Sequence, residues 1–444
     1  MKWLDEAVAD GTTSTGGHPS RSAVFEAVRE DRAGPVARRL LQLTGAEPAS
    51  VRREALELLR GLVHGADAWE AAAQAAHARL ADEDEGVRRR AADVLVRSGR
   101  ADLALVALRE LTDPVVRTAL TGLVLPEAAE ELRDDSLAAV RFLARLSLLG
   151  DARSAEWPAL DAALLADAEE AAPYVPWIGE RWAGGLYRLD REAQTYALAR
   201  HLLGKGRPIV LQQVGVQLAR RACQGWRAAP VELLPHLVPH IALPGGDDAV
   251  RTALISEAAV REHAALLAGT EVTPHPKRRR WTRGTSRIHD SRAAAAHLAT
   301  RPIGIARLSR APEIFGPLLD AGPLTFRQAA QLYNLTFSWP NAMQASCAPL
   351  WFRHAGASSL PRLLGLLVRQ LDDQAHGEAF MESLAKLGRH ALPAVPDLER
   401  LIDRRKRIPV NEPSLDAEMV TDELLLAAAV RARRRILEDA SSVD

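Results

Sequence analysis

The chain has 444 residues, with 57 cationic and 57 acidic side chains, 47% apolar residues and no formal net charge. That balance excludes a disordered polyelectrolyte, because there is enough apolar surface to offset chain entropy, and two cysteines exclude a disulfide framework. The length fits two or three ordinary domains or one elongated array of repeats.

Residues 1–20 read as a helix followed by a flexible segment. Asp5, Glu6 and Asp10 stand where a secretory signal would need an apolar core, so a cytoplasmic location is expected. Only five cations are lysine against 52 arginines, a bias expected of a GC-rich bacterial genome. From 21 to 270, segments with helical apolar spacing follow one another with breaks at Gly, Pro or Asp, which predicts an all-α fold. In DEDEGVRRRAADVLVRSG, residues Val87, Ala91, Val94 and Leu95 fall on one helical face, Asp84 is placed as a cap and Gly99 lies just past the end. Asp113 before Pro114 and Val116-Arg117 repeats that arrangement, as does Asp247 before Val250-Arg251. Weaker versions sit at Val51-Arg52 and Val140-Arg141.

Further along, WIGERW sets Glu180 between Trp177 and Trp182. Cys223 has no histidine near it in sequence and reads as a buried thiol. His236 and His240 are one helical turn apart without the glutamate of a metalloprotease motif, and they read as surface histidines. Neither a metal nor a cofactor is expected. In LPHLVPHI, Pro235 and Pro239 precede DDAVRTAL as the second helix of one hairpin would precede the first of the next.

Residues 271–310 carry ten cations against two carboxylates, whereas residues 121–180 carry twelve carboxylates against four arginines. A basic loop is read at 271–292. Within it Lys277, Arg278, Arg279, Arg280, Arg283 and Arg287 are candidate phosphate contacts, and Trp281 is a candidate stacking ring. The alternative is a solvated loop between repeats, since Pro274, Pro276 and Gly284 break helices. Helical repeats resume over 293–437, and 438–444 reads as a tail. Seven of the twenty aromatic residues fall in 315–352, where they fill a core or form an interface. Trp339, before Pro340, and Trp351, after Pro349, are the candidate partner-binding anchors at helix ends. The longest uncharged run, Gln328 to Phe352, holds three Gln, two Asn and two Pro, so no membrane span is expected. In LGRHALPAVPDLERLI, prolines 393 and 396 sit inside an otherwise amphipathic helical pattern.

Taken together, the Asp-x-x-Val-Arg copies and the Leu-Gly-x-x-Ala-Leu-Pro opening at 387–393 resemble HEAT repeats, over 48–150, 231–262 and 358–403. The resemblance implies an α-solenoid of stacked helical hairpins with a continuous core and a long concave face. Most such proteins bind protein or nucleic acid. The expected function is therefore a non-catalytic scaffold that engages a protein partner on that face. A nucleic-acid-binding protein using 275–292 is the alternative. A third reading rests on a bacterial DNA glycosylase family of HEAT-like repeats, which Glu180 with Trp177 and Trp182 resembles in kind only.

Overall fold

The computed structural model describes residues 2–11, 19–64, 69–125, 127–150, 156–270, 311–338, 341–409 and 414–442. The described residues are all-α, without strands; one isolated antiparallel bridge joins Trp226 to Lys406. Among them no helix is long and apolar enough to cross a membrane. Two compact units divide the chain, residues 1–218 and 219–444, and the division falls within helix Ile209–Gly225.

In the first unit, helices Ala49–Leu62, Glu85–Ser98, Pro114–Val124 and Ala138–Leu148 pack one against the next. A second row of Pro35–Leu43, Glu70–His77 and Ala101–Glu110 packs in the same way. Their apolar stripes meet in one core from Leu4 to Ala144. No single helix of this length buries its stripe alone. The predicted caps form: Asp84 accepts from the Val87 N–H at 2.9 Å, Gly99 ends that helix at φ 70°, and Asp113 accepts from the N–H groups of Val115 and Val116.

The Val-Arg pairs have a structural role beyond their own helices. Arg52 donates to the carbonyls of Ala46 and Glu47 and to Asp82 Oδ1, the last at 2.8 Å. Arg88 reaches back to the carbonyls of Asp82 and Glu83 and forward to Asp113. Arg117 pairs with Asp135, and Arg141 binds the carbonyls of Asp135 and Ser136 and then Asp167. Arg52, Arg88 and Arg141 thus tie their own entry turns to an aspartate further along the row, and Arg117 makes the forward pair. Asp82, Asp113 and Asp135 each also accept the N–H two residues on, the turn that short carboxylates favour. Burial raises the Asp82 and Asp113 pKa values, but the arginine and backbone N–H donors outweigh it and hold both carboxyls below their ordinary value.

In the second unit, helices Ala311–Ala321, Asn341–Ala355, Gly377–Leu387 and Leu415–Ser441 pack in succession, with Phe326–Phe337, Leu360–Val368 and Val395–Ile402 against them. The pattern around prolines 393 and 396 is two elements, a 3-10 stretch Gly388–Ala394 and then helix Val395–Ile402. Pro393 lacks the N–H that a continuous α-helix needs, and Pro396 sits in the first turn, where that loss costs nothing. Asp247 is not a cap: Gly245 in the left-handed region precedes helix Gly246–Ala253, and Asp247 in its first turn pairs with Arg251 in its last. A Cβ on Gly246 would meet the His240 carbonyl, so this start requires glycine.

The residues following helix Ile209–Gly225 are joined to the end of the chain by a buried charge cluster. Arg227 makes a bidentate pair with Asp422 at 2.9 and 2.8 Å, and its third nitrogen binds the Leu401 carbonyl. Arg407 reaches the same carboxylate at 3.1 Å, and also Glu423 and the Cys223 carbonyl. Two buried cations therefore face two carboxylates, as a low-dielectric site demands.

Candidate functional site

Both cysteines are buried. Burial pushes the Cys223 thiol up to about 12 and the Cys347 thiol likewise to about 12, so neither forms thiolate at neutral pH. Among the described residues no group of three His, Cys, Asp or Glu side chains gathers as a metal site would. An open cavity of about 310 Å³ is lined by Val368, Leu371 and Leu401 together with Arg369, Arg400 and Asp397. Arg400 is already paired with Asp397 there.

The most prominent surface is aromatic and lies on helix Phe326–Phe337. Thr325 and Gln328 form a reciprocal capping box, with the Thr325 N–H donating to Gln328 Oε1 at 2.9 Å. Leu324 is buried in the same apolar cluster as Ala329, which fixes the angle at which the chain enters the helix. This places Phe326 at the first helical position, 92% exposed. Phe326, Ala330, Tyr333 and Phe337 fall at i, i+4, i+7 and i+11, one helical stripe. Tyr333 and Phe337 are half-buried with ring centroids 4.9 Å apart. The Arg362 guanidinium lies 4.3 Å over Phe337 and 5.1 Å over Tyr333, and it donates to the Tyr333 hydroxyl. Cation–π contact and the hydrogen bond hold rings and cation in one arrangement before any ligand arrives.

Trp351 belongs to the base of this surface. It is half-buried, edge-on to Tyr333 at 5.3 Å and to Phe337 at 6.2 Å, and it packs against both apolar clusters of the region. Trp339 lies outside the described residues, as do Lys277, Arg278, Arg279, Arg280, Trp281, Arg283 and Arg287. The two tryptophans around Glu180 are placed differently from each other. Trp182 is fully buried, edge-on to Phe142 at 5.4 Å, whereas Trp177 precedes helix Ile178–Arg188 and is 60% exposed. Glu180 is half-buried in that helix's first turn, where the positive end of the helix dipole favours a carboxylate.

Phe326 and Arg362 were not singled out by sequence. For Phe326 a signal existed, since Thr325-x-x-Gln328 is a capping box and fixes its neighbour as the outermost helical residue. For Arg362 there was none, because its partner Tyr333 is 29 residues away on another helix. No family model, curated protein or solved structure matches this chain.

Proposed function

We propose that the chain is a cytoplasmic bacterial scaffold of HEAT-like hairpins. It engages a polypeptide partner, without catalysis, through Phe326 and the Arg362-capped rings of Tyr333 and Phe337. The observation that carries this reading is Phe326 at 92% exposure on the same stripe as two further rings. A phenylalanine left in water at a rigid helix start gains nothing for folding, whereas in an interface it supplies large contact area at little cost in rotamer entropy. The repeat reading is supported by the four arginines at 52, 88, 117 and 141. Each takes an aspartate of the following stretch of chain, so successive hairpins share one register. The test is a photoreactive phenylalanine analogue placed at 326 in the native cell. A discrete adduct is expected that is absent from the same probe at exposed Leu392 and is lost with Arg362→Ala. Identical products at 326 and 392, or none at 326, would overturn the proposal.

Nucleic-acid binding is the second reading. It rests on the ten cations against two carboxylates of residues 271–310.

A further inference from the structure

Residues 154–180 contain six carboxylates and not one lysine or arginine. Helix Trp157–Ala171 ends there with Glu169 and Glu170 exposed in its last turn and no basic residue beside them. Helix carbonyls already make that end negative, so carboxylates there work against the fold. Asp167 is neutralised by Arg141 and Arg145. Glu169 and Glu170 have no ion-pair partner among the described residues.

The chain then turns sharply, with the N–H groups of Tyr174 and Val175 both donating to the Ala171 carbonyl at 3.0 Å. Val175 and Ile178 point into the core, which turns Tyr174 and Trp177 outward. Trp177 holds φ 55°, a left-handed conformation that bulky side chains avoid. The end of the loop is held by close contacts at Gly179. The Gly179 N–H is fixed to Gln217 Oε1 at 3.0 Å, and a Cβ on Gly179 would collide with the Val214 carbonyl. Elsewhere in this unit, Arg191 lies 3.0 Å over the ring of Trp157, so one of its indoles already carries a guanidinium. Trp177 itself is 60% exposed.

An exposed indole in strained backbone and two exposed carboxylates that oppose their helix dipole thus lie within nine residues of sequence, and each runs against folding. We propose that Glu169, Glu170, Tyr174 and Trp177 form a docking surface for an arginine- or lysine-rich polypeptide. A guanidinium or ammonium of the partner stacks on Trp177 while its neighbours pair with the two glutamates. Charge complementarity chooses this occupant: the surface repels nucleic acid and anionic membranes, and a neutral peptide leaves both carboxylates unpaired. This surface is independent of the Phe326 stripe.

The test is fluorescence anisotropy of a labelled nonaarginine peptide with the full-length chain, beside a Gly-Ser peptide of equal length. Wild type should bind nonaarginine and not the Gly-Ser peptide. Trp177→Gly should weaken binding at least tenfold while the melting temperature holds or rises, because glycine suits the left-handed position. Glu169→Gln with Glu170→Gln should weaken it at least fivefold and flatten its salt dependence, and Trp177→Phe should retain most of it. No saturable binding by wild type, or equal binding by wild type and Trp177→Gly, would overturn the proposal. The latter would mean diffuse attraction without a docking surface.

Discussion

Arg227 and Asp422, 195 residues apart in sequence, form a bidentate ion pair that is buried almost completely, and Arg407 shares the same carboxylate. Around it the backbone of Arg227 donates to the Arg405 carbonyl and that of Arg407 to the Gly225 carbonyl. The cluster therefore closes the start of the second unit onto the chain segment that precedes helix Leu415–Ser441.

Removing one partner leaves a buried charge uncompensated. Asp422→Ala should destabilise the second unit by about 3–5 kcal/mol, measured by chemical denaturation. Arg227→Met combined with Asp422→Leu should recover part of that loss, provided Arg407 retains Glu423. A loss below about 1 kcal/mol in the single variant would mean that water enters and solvates the cluster.

Acid should act on the arginine–aspartate ladder in a definite direction. Asp82 has a folded pKa below its ordinary value of 3.8, so between the two values the unfolded chain binds the extra proton. Its stabilising contribution is complete above about pH 5 and is lost as pH falls through the depressed value. Asp82→Asn should therefore lower stability at neutral pH and reduce the steepness of acid denaturation below pH 4. Denaturation curves at several pH values check this, and parallel curves for wild type and variant would contradict it.

The all-α class, the helix at 85–98 with both its caps, and the helix start at Pro114 were legible in the sequence because each depends on contacts within a few residues. The ladder was not, although all four Val-Arg pairs were visible, because an arginine finds its aspartate 18 to 30 residues onward. The helix over 387–402 was misread because amphipathic spacing survives a switch from 3-10 to α geometry, whereas the hydrogen-bond pattern does not. Tryptophans gave the least guidance. Trp177 and Trp182 lie five residues apart, and one faces solvent while the other fills the core, since only tertiary packing distinguishes them.

Trp351 and Phe326 should respond oppositely to truncation. Trp351→Ala removes a ring that bridges two apolar clusters and should cost about 3 kcal/mol of stability. Phe326→Ala removes one that touches solvent and should stay within about 0.5 kcal/mol. Thermal melts of the two variants side by side measure this, and comparable losses would place Phe326 in the fold rather than on a binding face.

If residues 275–292 contact phosphates, single-stranded DNA should bind with a steep salt dependence, and Arg278→Glu with Arg280→Glu should reduce the log–log slope by roughly 0.7 per lost contact. Titration at several salt concentrations reads this directly. An unchanged slope in the double variant would leave the segment a solvated loop.

The most direct measurement is selection of a displayed peptide library against the full-length chain, followed by titration of the enriched peptides against wild type and Phe326→Ser/Arg362→Ala. A scaffold that anchors its partner on this stripe should enrich a recurring motif. Its affinity should fall by roughly thirtyfold or more in the variant, the equivalent of about 2 kcal/mol for one good anchor, while the melting temperature is unchanged. No enrichment over an unrelated helical protein, or equal affinity for wild type and variant, would contradict the stripe as the binding face.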